Sequence, residues 1–134
     1  MPAFDEIEHT ADWAFRARGR DMKELFQHAA EAMFALQGQA VEPAVGKTRD
    51  LQVEGFDRET LLVNWLNELL YLQETTGESY TGFEIVEMSD ARLRAKLQIG
   101  AQDKNRRLIK AVTFHNLKLQ RAADGWEVTV VVDV

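Results

Sequence analysis

Apolar and polar residues alternate in two separate stretches of the chain, residues 13–20 and residues 91–99. A period of two is typical of β-strands with one buried face and one exposed face. The apolar positions are Trp13, Phe15, Ala17, Leu93, Ala95, Leu97 and Ile99. The opposite positions hold two rows of three basic residues, namely Arg16, Arg18 and Arg20, and Arg92, Arg94 and Lys96.

Helical spacing of apolar residues predicts two helices. The first covers residues 22–37, with Asp21 as its N-cap, Glu24 completing a capping box and Gly38 as its terminator. The second follows Asp57 and ends near Gly77. Its broad apolar face consists of Leu61, Leu62, Trp65, Leu66, Leu69, Leu70 and Leu72. We therefore expect this helix, with its tryptophan, to contribute to the core.

Turn residues and further alternation complete the predicted fold. Residues 38–47, GQAVEPAVGK, indicate a loop, and residues 48–54 indicate a strand after it. From residue 82 onward the pattern is β-like, and Asp124-Gly125 predicts a hairpin turn before the last strand. No internal repeat is evident. The expected fold is one α+β domain over residues 1–134, with two amphipathic helices packed on a largely antiparallel β-sheet.

Composition narrows the class of protein. With 134 residues, 46% hydrophobic and 28% charged, the chain is long enough and apolar enough for one hydrophobic core. The absence of cysteine excludes disulfides, thiolate metal sites and cysteine nucleophiles. No apolar run approaches the ~18 residues of a membrane span, and the acidic N-terminus does not resemble a signal peptide. We therefore expect a cytoplasmic protein with no membrane partner.

Acidic residues stand at two strand ends. Residues 8–12, EHTAD, place Asp12 directly before Trp13, and Asp133 is the penultimate residue of a very apolar strand. A hard cation prefers several oxygen ligands, and one carboxylate from each place could supply them. The alternatives are a hydrated strand end for Asp133 and a hydrogen-bonded loop residue for His9, since the spacing matches no zinc pattern.

Lys110 lies in the segment IKAVTFHN. If the segment alternates as a strand, Lys110 shares a face with Val112, Phe114 and Asn116, whereas His115 points to the other face. A lysine among apolar neighbours would be partly desolvated, which suits anion binding. The alternative is an outward lysine whose stem covers apolar surface.

The two basic rows have two interpretations. On one exposed sheet face they would form a cationic patch for RNA phosphates or an acidic partner. Solvated outer faces of sheets often have the same composition, and the formal net charge of −6 argues against a dedicated nucleic-acid binder.

Four spaced motifs together resemble the archease family over the whole chain. They are His9-Thr10-Ala11-Asp12, then Asn64-Trp65-Leu66-Asn67-Glu68-Leu69-Leu70, then Lys110-Ala111-Val112-Thr113-Phe114-His115, and finally Asp133-Val134. Phe114 departs from the family pattern, in which tyrosine is frequent at this position, so any role of that hydroxyl is absent here.

The resemblance implies a protein cofactor and not an enzyme. Archeases assist RtcB-type RNA ligases in tRNA splicing and RNA repair by promoting guanylylation of the ligase histidine and multiple turnover. The family's metal site, seen with calcium, corresponds here to Asp12, Asp133 and a backbone oxygen of Val134, with manganese or magnesium as alternative ions. Lys110 corresponds to a lysine needed for ligase activation. His9 and His115 match motif positions that could support the metal ligands.

Two rival functions remain open at this point. A metal-dependent phosphoester hydrolase would use Asp12, Asp133 and Lys110, and would turn over substrates without a partner. An RNA-binding or chaperone module would use the basic rows and would bind RNA with a steep salt dependence. No phosphate-binding loop, dinucleotide fingerprint, nucleophile elbow or metalloprotease helix occurs in the chain.

Overall fold

The computed structural model describes residues 3–8, 13–38, 43–100 and 106–134. Seven strands and two helices lie in these ranges. In chain order they are β1 (Phe4–Glu8), β2 (Trp13–Gly19), α1 (Met22–Leu36), β3 (Pro43–Glu54), α2 (Arg58–Thr76), β4 (Ser79–Met88), β5 (Arg92–Gly100), β6 (Ala111–Ala122) and β7 (Gly125–Asp133). Every strand pair is antiparallel, so the predicted α+β class is confirmed.

The strands form two sheets and not one. The four-stranded sheet has the order β1-β2-β7-β6, and the three-stranded sheet has the order β3-β5-β4. Helix α1 contacts β2 and β4, whereas α2 contacts β6 and β3, so each helix packs on both sheets. The helices therefore join the two sheets into one core.

The structure contains an internal repeat that the sequence did not reveal. The segment β2-α1 corresponds to β3-α2 with an offset of 36 residues (19 to 55, 21 to 57 and 25 to 61). In both copies an aspartate, Asp21 or Asp57, accepts a hydrogen bond from the backbone N–H three residues later, at 2.9 and 2.8 Å. Little beyond the glycine, this aspartate and the leucines is shared, which is why the similarity is hard to see in the sequence.

Glycine is required at the strand–helix junction of each copy. A Cβ on Gly19 would lie 2.3 Å from the backbone nitrogen of Leu25, and a Cβ on Gly55 would lie 2.5 Å from that of Leu61. No real Cβ approaches a backbone atom so closely, so the strand can contact the first turn of the helix only at glycine.

The strands that follow each helix extend the repeat. The hairpin β6-β7 adds to β2 in the order β2-β7-β6, and the hairpin β4-β5 adds to β3 in the order β3-β5-β4. Each unit therefore has one strand, one helix and one hairpin, and the first has β1 as an additional strand beside β2. The second unit, β3-α2-β4-β5, stands in the chain between α1 and β6 of the first.

The two helices bury their apolar faces in the core, as expected, but they pack against two sheets and not one. Trp65 is fully buried, and its indole Nε1–H donates to the backbone oxygen of Phe26 at 3.0 Å. Its ring packs edge-on against Phe83, with centroids 6.3 Å apart. The prediction that Trp65 belongs to the core is confirmed, and its N–H additionally links α2 to α1.

Three local predictions need correction. The segment predicted as a loop over residues 38–47 already contains the start of β3 at Pro43, with an irregular register between Pro43 and Thr48. The carboxylate of Glu24 accepts from the backbone N–H of Arg20, one residue before the N-cap, which widens the capping box. The hairpin turn consists of residues 123 and 124, because Gly125 already pairs with Ala122.

Replacing Trp65 should test the core. We expect Trp65→Ala to lower the free energy of unfolding by about 3–5 kcal/mol, because a large buried ring leaves a cavity. Trp65→Phe should cost less, since it keeps part of the ring packing and loses the bond to Phe26. Urea denaturation followed by circular dichroism measures both, and wild-type stability of Trp65→Ala would contradict a core role.

Candidate functional site

Two of the sequence motifs meet at one end of the four-stranded sheet. Ala111 of β6 pairs with Asp133 of β7, and the backbone N–H of Lys110 donates to the backbone oxygen of Asp133 at 2.7 Å. The side chains of Lys110, Asp133 and Val134 are all exposed. The structure therefore places the predicted activation lysine beside the two predicted C-terminal ligands.

The third predicted ligand belongs to the EHTAD segment. His9 and Asp12 lie outside the described residues, as does the rest of the EHTAD segment after Glu8. Trp13, the residue after Asp12 in the sequence, pairs with Val132, the residue before Asp133. The first described residue of β2 therefore lies at the end of the sheet that contains Lys110 and Asp133.

Lys110 and Asp133 are available for an external group. No hydrogen bond or ion pair connects either side chain to another residue that the structure describes. Lys110 is exposed, so the partial burial suggested by strand alternation is wrong. The alternation fails because β6 begins only at Ala111, one residue after the lysine.

Strand β6 is irregular next to this end. Its register with β7 shifts between Thr113 and Lys118, and Asn116 has a left-handed backbone with φ of 52°. Phe114 is 57% exposed and His115 is also exposed. His115 Nε2 lies 3.2 Å from Asn116 Nδ2. The bulge explains why Phe114 does not share the buried environment of Val112, contrary to the predicted alternation.

Arg107 is a residue near the site that sequence analysis did not single out. Its guanidinium carbon lies 4.7 Å from the ring centroid of Trp13, a cation–π distance. Its backbone N–H donates to the oxygen of Gln37 at 2.9 Å. The segment before β6 is thereby attached both to β2 and to the end of α1.

Asn67 is a second residue that the motifs alone did not explain. Its Oδ1 accepts from the backbone N–H of Val112 at 2.8 Å, and its Nδ2 donates to the backbone oxygen of Val112 at 3.1 Å. Asn67 and the buried Trp65 belong to the same sequence motif, residues 64–70. The hydrogen bonds of Asn67 to Val112 become apparent only once α2 is placed against β6.

At the equivalent end of the three-stranded sheet, an arginine and a glutamate are paired with each other. Arg49, which corresponds to Trp13 in the repeat, donates to both carboxylate oxygens of Glu78 at 2.7 and 3.0 Å. The hydroxyl of Tyr80 donates to the same carboxylate at 2.9 Å. The hydrogen bond from Arg49 lowers the pKa of Glu78, and burial together with the adjacent carboxylate raises the pKa of Tyr80 to about 12.

Of the two interpretations of the basic rows, the structure contradicts a single cationic patch. Its two rows lie on strands of different sheets, β2 and β5, except for Arg20, which follows β2. The arginines form the ion pairs Arg16–Glu127, Arg18–Glu127, Arg20–Glu24, Arg92–Glu54 and Arg94–Glu87, with N–O distances from 2.7 to 3.7 Å. Lys96 lies opposite Asp50 and Glu84 in the sheet. The rows are therefore matched by carboxylates on the protein itself.

Within the described ranges, no group of three histidine or acidic side chains is close enough to hold a metal ion. Any metal site at this end would therefore need a ligand from elsewhere in the chain, such as Asp12, or from a partner. No helix among the described residues is long and apolar enough to cross a membrane.

Comparison with known proteins gives the family. The model of the Archease protein family (MTH1598/TM1083) matches residues 4–134. The chain belongs to the archease family. It is 34% identical to the protein archease of Methanosarcina acetivorans, over 98% of this chain and 95% of that protein. It is 35% identical to the archease of Methanopyrus kandleri, with both chains fully covered.

Solved structures agree with this assignment. Protein 1598 of Methanobacterium thermoautotrophicum, determined in solution, superposes with a TM-score of 0.78 at 30% identity and full coverage of both chains. A Thermotoga maritima crystal structure, described as an archease and possible chaperone, gives a TM-score of 0.67 at 22% identity, covering 96% of this chain and 94% of that one. The latter supports the fold alone. The archease motifs of the sequence thus occur on an archease fold.

The Tyr80 network predicts a change of stability at alkaline pH. The folded protein holds the phenol proton more tightly than the unfolded chain does, with a pKa of about 12 against 10.0. The free energy of unfolding should therefore be at its full value below pH 10 and fall as pH rises towards 12, by about 2–3 kcal/mol.

Tyr80→Phe should remove this component, and denaturation series at pH 8–12 measure it. Tyr71→Phe is the matched control, since Tyr71 is 60% exposed. Equal pH dependence of Tyr80→Phe and the wild type would contradict the role assigned to this hydroxyl.

Proposed function

We propose that this archease-family protein is a metal-binding protein cofactor that activates an RtcB-type RNA ligase. It would promote guanylylation of the ligase histidine and multiple turnover in tRNA splicing and RNA repair, in the cytoplasm. The observation that carries the proposal is the hydrogen bond from the N–H of Lys110 to the oxygen of Asp133, which holds the proposed activation lysine beside a proposed metal ligand.

The contrast between the two equivalent sheet ends supports a binding role. At the end of the three-stranded sheet, Arg49 and Glu78 form a bidentate ion pair with each other. At the other end, Lys110 and Asp133 point to solvent without partners among the described residues. Unpaired charges on an ordered backbone are suited to an external ligand, because the backbone that carries them is already in place before binding.

The residues at this end fit a hard divalent cation. The carboxylate of Asp133 and the oxygens of Val134 are the ligand type that calcium, magnesium and manganese prefer, and both residues are exposed. We propose Asp12 as the third ligand, on the basis of the pairing of Trp13 with Val132. Calcium fits best, since it tolerates irregular geometry and accepts further oxygens from a partner.

A bound cation would supply positive charge close to the nucleotide phosphates in the ligase. Lys110, directly before β6, would add a second positive charge. Guanylylation depends on positioning a triphosphate and neutralising its charge, so two neighbouring positive groups at one end of the sheet would favour it. His9 and His115 are candidates for hydrogen bonds that orient the ligands.

The partner of this end is proposed to be the ligase and not free RNA. The arginines of the basic rows are paired with carboxylates, which leaves little unbalanced charge for phosphate binding. RNA ends, including tRNA exons, would meet this protein through the ligase. Hydrolysis of nucleotides or phosphoesters by the isolated protein would contradict the cofactor role and favour the enzyme alternative.

Asp133→Asn should weaken calcium binding by about tenfold or more, because carboxylate charge is a main determinant of calcium affinity. It should abolish activation of the ligase while leaving the fold unchanged, since the side chain is exposed. Calorimetry with calcium and a multiple-turnover guanylylation assay measure these effects. Asp124→Asn, at the opposite end of β7, is the matched control, and full activation by Asp133→Asn would refute the site.

Lys110→Gln should separate activation from metal binding. Calcium affinity should equal or exceed that of the wild type, because a nearby positive charge is removed. Activation of the ligase should fall about tenfold or more if the ammonium group stabilises developing negative charge. The same two assays test this, and a variant that loses calcium binding but still activates the ligase would reverse the assigned roles.

A further inference from the structure

A single side chain of α2 bonds both the backbone N–H and the backbone oxygen of Val112 in β6. Asn67 on α2 bonds both groups, at 2.8 and 3.1 Å. Because β6 is an outer strand of its sheet, no further strand in the described ranges is available to bond its outward backbone groups. At Val112 the side-chain amide of Asn67 makes the two hydrogen bonds that a neighbouring strand would otherwise make. Val112 is buried, so both backbone groups would be costly to leave unsatisfied.

The position of Val112 connects this contact to the candidate site. Val112 pairs with Val132, and two residues earlier Lys110 donates its N–H to Asp133. On the other side, regular pairing of β6 ends at Thr113, where the bulge begins. The regular part of β6 beside the site is therefore short and depends on support from outside the sheet.

We propose that Asn67 is a positioning residue for the candidate site. By bonding both backbone groups of Val112, Asn67 holds the start of β6 against β7. It thereby keeps Lys110 beside Asp133. This inference rests on the proposed function, because it assigns a purpose to the alignment of those two residues. Asn67 acts through the backbone of β6 and does not itself touch the metal or the ligase.

Asn64 provides an internal comparison. It lies one turn earlier on α2, and its Nδ2 donates to the backbone oxygen of Glu54 at 2.8 Å. That contact fixes the end of β3 in the other sheet, and it corresponds in the repeat to the contact of His28 Nδ1 with the oxygen of Arg18. Asn64 is thus a structural amide on the same helix with no connection to Lys110 or Asp133.

The test compares Asn67→Ala with Asn64→Ala. Both changes remove an amide from the same helix and gain alanine's higher helix propensity. Asn67→Ala also leaves the N–H and the oxygen of buried Val112 unsatisfied, so it should lower the free energy of unfolding more than Asn64→Ala does. Amide hydrogen exchange by nuclear magnetic resonance, in the metal-free protein, should show about tenfold faster exchange at Val112 and Lys110 in Asn67→Ala only. Calcium affinity should fall about tenfold in Asn67→Ala, as for partners that orient metal ligands, and stay unchanged in Asn64→Ala.

Three results would overturn the inference. These are unchanged exchange at Val112, faster exchange at Val112 without any change at Lys110, or unchanged calcium affinity in Asn67→Ala. Failure of the proposed function has a different signature, namely a wild-type protein that neither binds calcium nor activates the ligase. The exchange experiment needs no metal and no ligase, so it would still decide whether Asn67 holds the start of β6.

Discussion

The contact between a glycine and the first turn of the following helix sets the geometry of both halves of this protein. At Gly19 and Gly55 the strand comes so close to the helix backbone that no side chain could be accommodated. Each helix therefore crosses its own strand at a fixed place, with an aspartate N-cap two residues after the glycine. The burial of Leu25, Leu61 and the rest of the helical core follows from this placement.

The same placement lets helix side chains cover the outer strands. Gln27 of α1 accepts from the backbone N–H of Ile85 in β4, and Asn67 of α2 bonds Val112 in β6. Outer strands with free backbone groups are sites of unwanted pairing between molecules, and these amides occupy part of them. The helices thus stabilise the sheets in two ways, through apolar burial and through hydrogen bonds at the edges.

Sequence patterns predicted the elements whose signal is local. The helix N-caps at Asp21 and Asp57, the end at Gly77 and the alternation of β5 were all expected and found. The failures concern β6: the strand begins only after Lys110, and the bulge after Thr113 breaks the alternation that had placed Phe114 on the face of Val112. The resemblance to the archease motifs identified Lys110 and Asp133 as candidate site residues. Their proximity depends on the pairing of β6 with β7, which no local sequence pattern encodes.

The insertion of one repeat within the other has a consequence for folding. The inserted unit is continuous in the chain, from β3 to β5, and its contacts are comparatively local. The outer unit must bring Trp13 to Val132 across the whole inserted segment, and closing a long loop is slow and entropically costly. During synthesis, β2 and α1 emerge first yet cannot complete their sheet until β7 has been made. We therefore expect the end that holds Lys110 and Asp133 to assemble last.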